Sequence, residues 1–234
     1  MTFDLWQTVV HEGGGGLFVP RASRWHQVLA DAGHHVGVDR LAQLHEQALA
    51  NYKRHWRENV QYTTVHATAD ILDWLEIHPS PALRGALVDA FHDAGLASEL
   101  LVAPGIEECL ASLERLRVPM AIVCDVGLTP ASALREHLEV AGLAAPFEVL
   151  VFSEDVGRFK PDAAPFEAAL DRCRVPPARA AHVGDRRATD VAGAIDAGML
   201  AVRYTGIFDD PPPGPDGDLV IGHHRELLDA LSTE

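Results

Sequence analysis

From Pro104 onward, short apolar runs alternate with amphipathic stretches, and this rhythm constrains the fold more than any other feature of the chain. Ile106, Cys109, Leu110, Leu113 and Leu116 recur every third or fourth position, as on a helix that lays one stripe on a core. The run Pro119-Met-Ala-Ile-Val-Cys124 that follows is apolar throughout. The alternation then predicts a helix over about 131–141 closed by Gly142, a strand at Val149–Phe152, a helix over about 163–173 and a strand at Ala180–Val183. A helix ending near Gly198, a strand at Leu200–Arg203, a proline-rich loop at Pro211–Pro215, a strand at Leu219–Ile221 and a terminal helix complete it. Strands that are apolar at every position are buried on both faces. The pattern therefore predicts an α/β fold, a parallel sheet with helices on both faces.

The amino-terminal part has another period. Met1-Thr2-Phe3 is apolar and β-prone, and the run Gly13–Gly16 interrupts any regular element. From about Leu17 to Ser98 the spacing is helical, with Leu41, Leu44, Ala48, Leu49, Tyr52 and Trp56 on one face. Pro79 and Pro81 punctuate this block, which reads as four or five helices without a strand. The chain thus begins a sheet, leaves it for an all-α insertion and returns. The 234 residues divide into a Rossmann-like core, residues 1–16 and 99–234, and a helical domain, residues 17–98. Only three residues precede Asp4, a short first strand for a central position; either the true start lies upstream or the fold tolerates a stub.

Acidic residues outnumber basic ones by 34 to 19, for a formal charge of −15. Such a surface repels nucleic acid and anionic lipid, so neither is an expected partner. Any phosphate site must be built locally against that field. No apolar run approaches the ~18 residues of a membrane span, and the first residues do not resemble a signal peptide. Cys109, Cys124 and Cys173 are widely spaced, with no metal-finger pattern, and read as buried thiols of a cytoplasmic protein. The sequence leaves the oligomeric state open.

In such sheets ligands bind at the carboxyl ends of the strands. Four segments fall there: Phe3-Asp4-Leu-Trp6-Gln-Thr8, Ile122-Val-Cys124-Asp125, Lys160-Pro161, and His182-Val-Gly184-Asp185-Arg-Arg-Ala-Thr-Asp190. Their order and spacing resemble the haloacid dehalogenase (HAD) superfamily, and the helical block resembles the cap that many members insert after the first motif. The resemblance implies that Asp4 is the nucleophile and that Lys160 neutralises charge between nucleophile and phosphate. It also implies a Mg²⁺ held by the Asp4 carboxylate, the Trp6 backbone carbonyl and Asp185, with Asp190 at or beside the metal. Thr8 would fix the turn after Asp4 by side-chain hydrogen bonds. Cys124 and Asp125 would bind the phosphate, in part through backbone N–H groups at 125 and 126.

Two positions depart from the family pattern. Phosphatase members read D-x-D-x-T, and their second Asp protonates the leaving oxygen; here that position is Trp6, which transfers no proton. General acid–base help is typically worth ~10²–10⁴-fold. Cys124 stands where Ser or Thr is usual, and a thiol is the weaker donor. His11 and Glu12 beside the glycine run, Asp125, or a residue of the cap are candidates for the missing acid–base group. Histidines 26, 34, 35, 45, 55 and 66 read as surface residues, without the spacing of a zinc site. Arg21, Arg24, Arg54 and Arg57 are candidates to recognise an anion, although most read as solvated. Lys53 is the one lysine of the helical block and would be the Schiff-base lysine of a phosphonatase, but it lies on a solvated face.

The expected function is a Mg²⁺-dependent phosphohydrolase acting on a small phosphorylated metabolite through an aspartyl-phosphate at Asp4. Two alternatives stand beside it. One is a 2-haloacid dehalogenase-like hydrolase, whose halide leaving group needs no proton. The other is a non-catalytic ligand- or protein-binding member of the same superfamily. The Asp185/Asp190 pair favours the metal-dependent reading, because dehalogenases carry Ser-Asn-type residues at that motif and need no metal.

Overall fold

The computed structural model describes residues 1–13 and 18–231. Gly14–Gly16 and Leu17, over which the sequence places the start of the helical domain, lie outside the described residues, as do residues 232–234. In chain order the elements are β1 (Thr2–Phe3), β2 (Val10–Glu12), α1 (Phe18–Asp31), α2 (Val38–Arg57), α3 (Thr64–Trp74), α4 (Pro81–Leu96), β3 (Leu100–Val102), α5 (Ile106–Arg115), β4 (Ala121–Cys124), α6 (Ala131–Val140), β5 (Val149–Phe152), α7 (Ser153–Val156), α8 (Ala163–Cys173), β6 (Ala181–Gly184), α9 (Ala192–Asp196), β7 (Leu200–Tyr204), β8 (Leu219–Ile221) and α10 (His224–Leu231). A 3₁₀ turn at Pro177–Arg179 precedes β6, and a π turn at Arg187–Val191 precedes α9. No described helix is long and apolar enough to cross a membrane.

The chain forms two compact units: Met1–His11 with Leu100–Asp125 and Glu139–Glu234, and Glu12–Glu99 with Val126–Leu138. The first unit holds a six-stranded sheet in the order β5-β4-β1-β6-β7-β8, and every strand pair in it is parallel. Its strands are mostly apolar, as the sequence pattern requires of a sheet with helices on both faces, with Thr2, His182 and Arg203 as buried polar exceptions. Phe166, Ala169 and Leu170 of α8 and Ala194 of α9 pack on Ala121, Val123 and Val151 in one of its cores. β1 lies between β4 and β6, where the strand order reverses, and its carboxyl end is the crevice such sheets use for ligands. The ladder runs past the two residues of β1: Ala121 N donates to Met1 O at 3.0 Å, and Asp4 N to Val183 O at 2.8 Å. A separate two-stranded ribbon pairs β2 with β3; the sequence reading has neither strand.

The second unit contains α1 to α4, where the sequence reads four or five helices, together with residues 126–138. Trp25, Leu29, Leu41, Leu44, Ile71 and Phe91 are buried in its core. Ser80 opens α4 by accepting from Leu83 N at 3.2 Å, with Pro81 in the first turn. One expectation is corrected here. His45 is not a surface residue but is fully buried, its ring edge-on to Trp25 at 5.2 Å. Its Nδ1 lies 2.7 Å from Leu41 O, and a carbonyl only accepts, so Nδ1 carries the proton. Burial pushes its pKa down to about 4. Arg21 is also buried and donates to Thr129 Oγ1 at 2.9 Å, whereas Arg24, Arg54, Arg57 and Lys53 are exposed as expected.

Candidate active site

Asp4 follows β1, Asp125 follows β4 and Asp185 follows β6, so three parallel strands deliver three carboxylates to one edge of the sheet. Lys160 joins them from the segment between α7 and α8. Its Nζ donates to Asp4 Oδ1 at 2.6 Å, to Asp190 Oδ1 at 2.6 Å and to Val123 O at 2.9 Å. Three acceptors exhaust the three ammonium protons, so the side chain is fixed. Its backbone N–H donates to Asp125 Oδ1 at 2.9 Å. Asp125 thereby anchors the segment that carries the lysine.

Asp190 reaches this point through the π turn. Val191 N donates to Arg186 O, five residues back, at 3.0 Å, and the widened turn directs Asp190 inward. Its Oδ2 accepts from Arg186 N at 2.8 Å. Gly184 makes the approach possible, because a Cβ there would stand 2.4 Å from Asp190 Cγ.

Asp4, Asp185 and Asp190 are all buried, and ligand oxygens of the three lie within 4.8 Å of one another. Against these three stands one buried ammonium. Burial is the leading cause of the shift at Asp4, pushed up to about 7, and at Asp185, pushed up to about 9, with neighbouring carboxylates adding to both. Lys160 feels burial too, but Asp190 and Asp4 outweigh it and hold the ammonium well above its ordinary value. Burial likewise opposes the charge on Asp190, yet Lys160 and His182 keep its carboxyl below the usual range. Asp185 Oδ2 is buried without a hydrogen bond; Arg186 Nε stands 3.3 Å away but is not aligned to donate. An all-oxygen donor set with excess negative charge and an unused carboxylate oxygen fits a hard divalent cation.

The turn after Asp4 corrects an expectation about Thr8. Its side chain is fully buried, and its hydroxyl has no hydrogen-bond partner among the described residues. The backbone holds the turn instead. Val9 N and Val10 N both donate to Leu5 O, and Gln7, at φ +59°, donates its N–H to Val10 O at 2.7 Å. Thr8 contributes its carbonyl, which accepts from His224 Nε2 of α10 at 2.8 Å. Trp6 is half-buried, and Cys124 is buried with its thiol pushed well up by burial and by Asp4, so it stays neutral. His11 is half-buried in β2 and makes no hydrogen bond to Asp4, and Glu12 is exposed.

Sequence reasoning missed His182 and His224. Both are buried, and His182 lies 3.3 Å from Asp190 through Nε2 and 2.9 Å from Thr2 Oγ1 through Nδ1. A histidine in the middle of an apolar strand was the available signal.

A family model described as haloacid dehalogenase-like hydrolase matches residues 2–198. Glyceraldehyde 3-phosphate phosphatase of Methanopyrus kandleri is 36% identical over 157 residues, 65% of this chain and 66% of that one, just under two thirds of its length. Phosphoserine phosphatase of Thermus thermophilus is 30% identical over 226 residues, covering 86% of this chain and 90% of the relative. Among solved structures, 2-haloacid dehalogenase from Pseudomonas syringae superposes with a TM-score of 0.70 over 99% of this chain and 97% of that one. At 22% identity that likeness bears on the fold alone.

Proposed function

The chain belongs to the haloacid dehalogenase-like hydrolases, and from that premise we propose a cytoplasmic Mg²⁺-dependent phosphohydrolase of small phosphorylated metabolites. Residues 1–16 and 99–234 form the catalytic core in this reading, and residues 17–98 the cap domain. The observation that carries it is the buried ammonium of Lys160, bonded to both Asp4 and Asp190 beside the unused oxygen of Asp185.

Asp4 acts as the nucleophile. One carboxylate oxygen forms a bond to phosphorus as the bond from phosphorus to the ester oxygen breaks, and water then hydrolyses the acyl phosphate and regenerates Asp4. Lys160 holds Asp4 Oδ1 in one orientation and offsets charge that accumulates as the dianion approaches. Asp4, Asp185 and the Trp6 carbonyl would hold Mg²⁺, with Asp190 beside it as the counter-ion of Lys160. The ion supplies Lewis-acid stabilisation of the phosphoryl oxygens. Backbone N–H groups after Cys124, with Asp125, bind the phosphate, since the neutral thiol contributes little.

The test is hydrolysis of p-nitrophenyl phosphate and a panel of small phosphate esters, with Mg²⁺ and with EDTA. Release that needs Mg²⁺ and falls by about 10³-fold or more in a folded Asp4→Asn variant is expected. Undiminished turnover by that variant, or no release from any ester by the wild-type chain, rejects the reading.

A further inference from the structure

His182 sits inside the sheet of the first unit, at a position otherwise suited to an aliphatic residue. It is 1% exposed and lies edge-on to Phe166 at 5.0 Å. Its two ring nitrogens have different partners. Nε2 faces Asp190 Oδ1 at 3.3 Å, and a carboxylate of depressed pKa can only accept there, so Nε2 carries the proton. Nδ1 lies 2.9 Å from Thr2 Oγ1. In a neutral ring Nδ1 is then the acceptor, and the Thr2 hydroxyl, which also faces Ala181 O at 3.4 Å, donates to the nearer Nδ1.

We propose that Thr2 and His182 form a positioning relay for the reacting carboxylate. The Thr2 hydroxyl fixes the His182 tautomer, Nε2–H holds Asp190 Oδ1, and the same oxygen holds the Lys160 ammonium that orients Asp4. Neither residue touches substrate. Thr2 is β1 and His182 is β6, paired directly across the central ladder in the register Thr2↔His182. The relay is therefore a cross-strand pair, and its geometry is as rigid as the sheet. Lys160 and His182 share Asp190 Oδ1 while Arg186 N holds Oδ2, so loss of His182 removes one of three restraints on the carboxylate and lets Oδ1 shift together with the lysine.

The kinetic arm of this inference rests on the phosphatase reading, and the spectroscopic arm does not. Thr2→Val keeps the shape and removes the hydroxyl, whereas Thr2→Ser keeps the donor; His182→Leu removes the ring, whereas His182→Gln keeps an N–H that can reach Asp190. Outer partners of this kind are typically worth ~10–100-fold. His182→Leu should lower kcat for p-nitrophenyl phosphate by about tenfold or more with KM nearly unchanged. Thr2→Val should lower it less, and His182→Gln and Thr2→Ser should recover most of the loss. A purely structural role would lower the melting temperature and leave kcat per folded molecule unchanged, which overturns the proposal. Should His182→Leu fail to fold, the Thr2→Val and Thr2→Ser pair decides the kinetic question. Independently, long-range ¹⁵N–¹H spectra of histidine-labelled protein should show the resonance lost in His182→Gln as an Nε2–H tautomer. An Nδ1–H ring there overturns the relay. If the wild-type chain hydrolyses no ester, the phosphatase reading falls and the spectrum alone decides the relay.

Discussion

At the scale of single residues, Trp6 shapes the chemistry most. The loop after Asp4 holds an indole where phosphatase members resemble one another in carrying a carboxylic acid. Asp4 and Asp185 are themselves held up to about 7 and 9, but both are committed to the centre, and Asp125 is bonded to the Lys160 N–H. If Trp6 leaves the leaving oxygen without an acid, turnover should depend steeply on how well that oxygen carries charge. Aryl phosphates such as p-nitrophenyl phosphate should be cleaved far faster than alkyl phosphates. Trp6→Asp should raise kcat on alkyl esters by up to ~10²-fold and on p-nitrophenyl phosphate much less. The check is kcat across esters graded by leaving-group pKa, and a slope unchanged by Trp6→Asp would mean that another group already serves. At this scale the sequence was legible for Asp4, Lys160, Asp185 and Asp190, because their types and spacing match a motif set. Thr8 was misread because a hydroxyl next to a nucleophile suggests hydrogen bonding, while its hydroxyl is buried without a partner among the described residues and the backbone secures the turn.

At the scale of elements, the π turn after β6 decides whether Asp190 reaches Lys160. The sequence shows only a helix ending near Gly198; in the structure the π turn and α9 divide that stretch. The extra residue per turn follows from how Asp190 must pack rather than from local propensity. Gly184→Ala tests this, because the added methyl would overlap Asp190. Overpacking of this kind costs about 1–3 kcal/mol. The melting temperature should fall, and kcat should fall further than a stability loss alone explains, since Asp190 is displaced from Lys160. A variant with wild-type kcat would show that the turn accommodates the methyl without moving the carboxylate. Strands such as Val149–Phe152 and Leu219–Ile221 and the helix Ala163–Cys173 could be read to the residue, because apolar period and flanking polar residues coincide there. The β2–β3 ribbon could not. Each strand is three residues long, and their pairing joins segments some ninety positions apart.

At the scale of the whole molecule, buried titratable groups of opposite sign set the pH range of stability. His45 and His224 are both pushed down to about 4 by burial, from 6.5. The unfolded chain therefore binds more protons than the folded one between those values, and stability is lost as pH falls from about 6.5 towards 4. At about 1.4 kcal/mol per pKa unit, each histidine accounts for roughly 3 kcal/mol over that window. Asp4 and Asp185 have raised values of about 7 and 9, so their contribution is present below the unfolded carboxylate range and is lost as pH rises through those values. Between about pH 4 and 6.5 the two histidines and the two carboxylates offset one another, so metal-free protein should hold a plateau there and lose stability as pH rises from about 6.5 towards 9. Mg²⁺ should lift the alkaline limb and leave the plateau in place, because it competes with protons for the carboxylates but not for the histidines. Thermal denaturation from pH 4 to 9 with EDTA or Mg²⁺ checks this. A Mg²⁺ effect of equal size at pH 5 and pH 9 would argue against a metal at the carboxylates, and His45→Leu should make stability fall with rising pH between about 4 and 6.5, because one histidine no longer offsets the two carboxylates.

The sequence by itself determined the layers, the alternation of strands and helices from Pro104 onward, and the four motifs at strand ends. These follow from periodicity and from residue types whose chemistry is local. Tertiary structure alone decided that Thr2, His182, Asp190, Lys160 and Asp4 form one bonded chain. It also decided that His45 and His224 are buried and neutral, and that Thr8 holds its place through a carbonyl bonded to the last helix. The physical reason is common to these cases. Hydrogen-bond partners and burial are set by segments distant in the chain, as in the pairing of residue 2 with residue 182, and no local period records which segments will meet.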